Sequence, residues 1–207
     1  MSYSPLAGKG TINPNPEMDL ADGFLIEDAY DVSIEFDNVL SKRTVKELGG
    51  RILHTKAKWQ LSWADLHMYQ NNTLCLCPEP EEKLMFSDGF SLSKYFYDIL
   101  IPYFYFQSYL ARFGNGPWQS TSHNEVGMLE SYRKQRFTTR SVQDVFSIYQ
   151  EYFSAALMKH LLAGKRINQD ILCLCGSNKK FKTCHMLAFE GLLTLCADYR
   201  SLSATRP

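Results

Sequence analysis

The sequence has no apolar run near the ~18 residues that a helix needs to cross a bilayer. It has no excess of charge either: 22 Lys and Arg balance 22 Asp and Glu. The first absence predicts no membrane span. The second removes any global argument for nucleic acid or an acidic membrane surface as partner. The opening stretch MSYSPLAGKGTINPNPEMD lacks an apolar signal core, so a cytoplasmic location is expected. There is no Gly-x-Ser-x-Gly elbow, no phosphate-binding glycine loop, no internal repeat and no low-complexity tract. A chain of 207 residues holds one ordinary domain and a small appendage, and leaves no room for an adenylating domain. With 45% hydrophobic and 14% aromatic residues there is ample material for a core. Cysteine is what stands out. Five of the six lie in two short stretches, and in a reducing compartment such clusters are metal ligands or nucleophiles more often than disulfides.

Along the chain, residues 1–19 are rich in Pro, Asn, Gly and Ser and read as a flexible arm. In DVSIEFD (31–37), Val32, Ile34 and Phe36 alternate with polar residues, the pattern of a half-buried strand. RTVKELGGRIL (43–53) reads as a strand broken at Gly49-Gly50. QLSWADLHMY (60–69) is a third strand candidate, so an antiparallel meander is expected. Its Asp65 is expected to be solvated or paired with Arg51. CPEPEEK follows, with two prolines that forbid regular structure. Ser91 can cap a helix over 92–101, and Pro102 suits the first turn of a second helix over 102–113. Tyr95, Phe96, Tyr103, Phe104, Phe106 and Phe113 are its candidate core. Residues 114–127 read as a structured loop. SVQDVFSIYQEYFSAALMKHLLAG (141–164) carries Val145, Ile148, Tyr149, Tyr152, Phe153, Ala156, Leu157, His160 and Leu161 at helical spacing. Cys196 fits a buried helix face.

In DILCLCGSNKKFKTCH (170–185), one residue separates Cys173 from Cys175, eight separate Cys175 from Cys184, and His185 follows at once. Zinc favours four such ligands in a tetrahedron. A C-x-C start places two thiolates beside a tight turn, for which Gly176, Ser177 and Asn178 supply the chemistry. Lys179, Lys180 and Lys182 favour ionised sulfurs. The run resembles the SEC-C zinc-binding motif, matched at Cys173, Cys175, Gly176, Ser177, Lys179, Lys180, Phe181, Lys182, Cys184 and His185, with Asn178 in place of a usual glycine. The resemblance implies a structural Zn2+ held by Cys173, Cys175, Cys184 and His185, with all four positions filled by protein and none open for catalysis.

The stretch LHMYQNNTLCLCPEP (66–80) holds Cys75 between two leucines, eight residues after His67. Together with GNGPWQSTSHNEVGMLE (114–130) it resembles ubiquitin-conjugating enzymes, and most closely their divergent bacterial branch associated with CBASS antiviral operons. That resemblance implies an α+β fold, an antiparallel β-meander flanked by helices over residues 20–165, with the zinc knuckle in 166–207. It implies a transferase in antiviral defence. Cys75 would carry the C-terminus of a cGAS/DncV-like nucleotidyltransferase or a ubiquitin-like protein as a thioester and pass it to an amine, normally a target lysine. An amide from Asn71 or Asn72 would stabilise the oxyanion, with Asn72 taken as the candidate. His67 would orient the loop, and His123 would line the cleft. Tyr69 stands where that branch has Asn, the turn glycine is missing, and Cys77 is the alternate nucleophile. Two other readings stand beside this one: a catalytically silent binding module of the same fold, and a SEC-C adaptor for translation or secretion machinery.

Overall fold

The structure is a computed structural model that describes residues 26, 28–36, 43–118, 122–138, 140–155, 157–158, 167–168 and 170–204. The N-terminal arm lies outside them. The described residues of Met1–Leu76 and Gly89–Ser120 form one compact unit, and those of Cys77–Asp88 and Thr121–Pro207 form another. The chain therefore leaves the first unit, enters the second, returns, and leaves again. No helix among the described residues is long and apolar enough to cross a membrane.

The first unit is mixed α and β. Strands β1 (Val32–Phe36) and β2 (Arg43–Glu47) pair antiparallel, with Ile34 opposite Val45. No third named strand follows, but β2 continues onto the segment before Cys75 through an antiparallel bridge from Lys46 to Thr73, with the Leu74 N–H donating to the Val45 carbonyl at 2.9 Å. After β2 the two glycines do not interrupt a strand; they start helix α1 (Arg51–Trp59). Gly50 takes a left-handed φ of 72° at its N-cap, a conformation that glycine adopts without a Cβ clash. The Glu47 carboxylate reaches forward to accept from the Ile52 N–H at 3.4 Å, satisfying one of the donors that a helix start leaves open. The third strand expected over 60–69 is a run of turns. Its Ser62 and Asp65 bond locally: the Asp65 carboxylate accepts from the Ser62 N–H at 2.8 Å and its hydroxyl at 2.7 Å. Short polar side chains that satisfy nearby backbone compete with a sheet ladder. Arg51 instead pairs with Asp28.

Segments Leu92–Tyr95, Phe96–Leu100 and Ile101–Phe113 run on as one helix, α3, rather than two. The middle segment is a π-turn. Pro102 would clash with the carbonyl four residues back in a regular helix, and a wider turn just before it relieves that clash. Ser91 caps the helix as expected, its hydroxyl accepting from the Lys94 N–H at 3.3 Å. Residues Tyr103 to Ser108 are all buried, so this stretch of α3 is covered all round, while Leu92 and Tyr97 near its start stay exposed. Phe96 is only half-buried. Phe113, expected in the core, is 44% exposed and packs on Tyr109 at 4.5 Å between ring centres.

The second unit is helical. Helix α2 (Glu79–Met85) forms where two prolines argued against regular structure. Pro78 is its N-cap and Pro80 sits in the first turn, where a missing N–H costs nothing. Helix α4 spans Asn124–Arg136 and α5 spans Val142–Tyr149. The long helix expected over 141–164 breaks at 150–153. Ser154 then caps a new helical start, its hydroxyl accepting from the Leu157 N–H at 3.2 Å. Ala156, His160 and Leu161 lie outside the described residues. Two further helices, α6 (Phe181–Cys184) and α7 (Met186–Ala204), complete the unit. Helices α4 and α7 cross closely at Gly191, where an added Cβ would meet the Leu129 carbonyl oxygen at 2.1 Å. Asp198 locks the same pair. It accepts from the Tyr132 hydroxyl at 2.7 Å and the Arg136 guanidinium at 2.5 Å. Cys196 is buried on α7 as expected.

Candidate metal centre

Residues 171–185 fold as a knuckle. Leu172 and Lys180 form an antiparallel bridge. The Cys173 N–H donates to the Lys179 carbonyl at 2.8 Å, and the Phe181 N–H donates to the Ile171 carbonyl at 2.9 Å. The turn between them needs two left-handed residues, Gly176 (φ 78°) and Asn178 (φ 57°). Glycine and asparagine tolerate that region best, which is why Asn178 can replace the motif's glycine. Helix α6, a single turn, brings Cys184 and His185 back to the hairpin, with the His185 N–H donating to the Phe181 carbonyl at 2.9 Å.

This path brings Cys173, Cys175, Cys184 and His185 together, their ligand atoms all within 4.8 Å of one another. The Sγ atoms of Cys175 and Cys184 are 3.7 Å apart. A tetrahedral zinc with bonds of ~2.3 Å to sulfur spaces two sulfurs about 3.7 Å apart. His185 turns Nδ1 to the cluster, 3.2 Å from the Cys173 sulfur. Three thiols and an imidazole at these separations fit a tetrahedral divalent ion, with no side left open for water.

The ligands differ in environment. Burial pushes the Cys173 thiol up to about 11, before any metal charge is counted. Cys175 is exposed, and hydrogen bonds from the Ser177 hydroxyl and backbone pull its thiol down to about 6. Cys184 and His185 are half-buried. The knuckle stands on the unit's core rather than apart from it. Phe181 is 0% exposed and belongs to one apolar cluster with Cys173, Leu84, Leu129, Tyr149 and Leu195. Its ring meets Phe189 of α7 edge-on, at 5.8 Å between centres. Sequence reasoning treated Phe181 as part of the return path and Ser177 as turn chemistry. The apolar residue inside an otherwise basic KKFK run was the available signal for the first.

The other candidate residues lie elsewhere. His67 and Cys75 face each other at the base of a tight hairpin, the Cys75 N–H donating to the His67 carbonyl at 2.7 Å. Met68 and Leu74 bridge above them. The tip is Gln70-Asn71-Asn72, with Asn72 left-handed at φ 65°. Asn71 Oδ1 accepts from the Thr73 N–H at 3.1 Å and its hydroxyl at 2.7 Å. Cys75 is half-buried. The hairpin base is pinned to α3, because the Leu66 carbonyl accepts from the Tyr103 hydroxyl at 3.1 Å and the Gln107 amide at 2.7 Å. His123 belongs to the second unit, at the N-cap of α4. Cys77 also belongs to the second unit and is half-buried.

The knuckle thus has the form of a structural Cys3His metal site. Residues 171–187 match the SEC-C motif family. That match covers the knuckle and the first turn of α7, and it leaves the rest of the chain unassigned. No curated protein and no solved structure matches the chain.

Proposed function

We propose that the chain is a metal-dependent docking protein. In this reading Zn2+ bound by Cys173, Cys175, Cys184 and His185 holds the knuckle on its helical unit and presents it to an acidic, partly apolar protein partner. What supports this is the composition of the knuckle's rim. Leu172 is 59% exposed, Met186 60%, and Leu174 and Leu187 about as much as one another at 42% and 43%. Lys179 and Lys180 lie exposed on the same stretch, Lys180 paired with Asp170 at 2.9 Å. These apolar side chains lie on the surface beside the candidate ligands and outside the buried core cluster, and such patches mark interaction sites.

The test compares wild type with Lys179→Glu/Leu174→Asp, each with and without a chelator. The expected result is one zinc per chain in both, and a partner from a lysate retained by the zinc-loaded wild type alone, more weakly at high salt. Retention of the same partners by the variant, or by the chelated protein, overturns the reading.

A second reading has its own observation. The base of the 66–75 hairpin holds His67 and Cys75 side by side, and a thiol on a pinned loop can serve as an acyl carrier. The Cys75 thiolate would attack the thioester of an upstream carrier, taking the C-terminal acyl group of a cGAS/DncV-like nucleotidyltransferase or a ubiquitin-like protein and releasing the carrier's thiol. The chain would then pass that cargo to a target lysine in antiviral defence. Incubation with the charged carrier, run on non-reducing and reducing gels, should give a reducible band that Cys75→Ala abolishes. A band lost only in Cys77→Ala moves the nucleophile. No band with any form removes the reading.

A further inference from the structure

One residue at the knuckle that is not a ligand touches two that are. The Ser177 Oγ lies 3.1 Å from the Cys175 sulfur and 3.2 Å from the Cys184 sulfur. The Lys179 N–H points at the same oxygen, at 3.4 Å. The ligand set divides in two. Cys173 is buried in the core cluster, and its sulfur faces His185. Cys175 is exposed, Cys184 is half-buried against the edge of that cluster, and Ser177 sits against both.

The hydrogen-bond roles follow from the chemistry. A metal-bound thiolate is an acceptor only, so the hydroxyl must be the donor. The Lys179 N–H occupies a lone pair on the hydroxyl oxygen, which leaves the proton directed to the sulfurs. With free thiols the Cys175 thiol donates to Ser177 Oγ, and loss of that thiol proton to a metal reverses the bond, while the Ser177–Cys184 contact can run in either direction. We propose that Ser177 is a positioning residue of the metal centre, holding the Cys175 and Cys184 thiolates in register for one ion and setting how slowly the ion leaves. This rests on the metal-site reading above. Groups that orient ligands from behind typically contribute about 10- to 100-fold to metal affinity. The turn allows the test, because Gly176 and Asn178, and not Ser177, carry the left-handed angles.

The experiment loads the full chain with Co2+, whose sulfur-to-metal charge-transfer and d–d bands report the ligands directly, and then follows release to excess chelator. Wild type, Ser177→Ala and Ser177→Thr are compared. Ala should move the charge-transfer band to lower energy, since a thiolate that loses a donor is easier to oxidise, and should speed release by about tenfold or more. Thr keeps the hydroxyl and should restore both. An Ala variant with the wild-type band and wild-type release rate overturns the proposal while leaving the metal site intact. If Ala takes up no Co2+, Thr decides: wild-type behaviour supports the role of the hydroxyl, and loss in both overturns it. A wild-type chain that gives no tetrahedral Co2+ spectrum overturns the metal site itself, and this inference with it.

Discussion

Cys173 and Cys175 are two residues apart and opposite in setting, and the difference has a measurable consequence. Burial raises the Cys173 thiol, while hydrogen bonds from Ser177 lower the Cys175 thiol, so of the two Cys173 holds its proton more tightly. Metal must displace the Cys173 proton, so binding should release at least one proton, seen as a buffer-dependent heat in calorimetry. Apparent affinity should then rise with pH across the neutral range. Phe181 carries the mechanical side of the same site: Phe181→Ala should cost about 3–5 kcal/mol of stability in the zinc-loaded protein, read from the urea midpoint. In the first unit, burial alone would raise the Asp28 carboxyl. The Arg51 guanidinium and the Ser108 hydroxyl outweigh it and hold the group below its usual 3.8. A depressed folded-state value adds stability above the unfolded pKa and loses it as pH falls through the folded one. Asp28→Asn should therefore lower the urea midpoint at pH 7, with the gap to wild type closing as pH falls below the group's usual 3.8. The candidate metal ligands were legible in the sequence because all four lie between positions 173 and 185, where spacing alone constrains geometry. The Ser177 contacts were not, because they depend on which way the hairpin turn aims a hydroxyl.

Elements were harder to read, for reasons that particular residues make plain. β1, β2 and the cap at Ser91 follow local rules and appear where the pattern puts them. The third strand fails because Ser62 and Asp65 satisfy backbone groups within their own turn, and apolar alternation cannot register that competition. Pro102 was read as a boundary, yet a π-turn before it carries the helix through. The break at 150–153 hides behind unbroken helical spacing; Ser154 marks it only once its hydroxyl is seen capping Leu157. The crossing of α4 and α7 depends on one missing methyl group. Gly191→Ala would drive a Cβ to 2.1 Å from the Leu129 carbonyl oxygen, in backbone that cannot swing aside as a side chain can. It should cost about 1–3 kcal/mol and lower the urea midpoint, although alanine favours helix over glycine.

At the scale of the whole molecule, the knuckle belongs to the second unit, and under the proposed metal-site reading its fold depends on the ion. Chelation of the zinc-loaded protein should raise amide hydrogen exchange over 171–187 and spread to α7 through Phe181 and Phe189. The amides of α3 around Tyr103–Leu110 should keep their protection. Uniform loss across α3 and α7 would contradict this. A different consequence comes from the chain's path. Helix α2 is made early, yet Leu84, its buried residue, packs in a cluster whose last members, Leu195 and Cys196, lie on α7. At about 5–20 residues per second of synthesis, Leu84 emerges roughly 5–20 s before Leu195. Val126, Leu129 and Tyr149 are made within that interval and give Leu84 part of its cover first, so the cluster closes in stages, and an ion held by residues 173–185 would be among the last parts that the unit can take on.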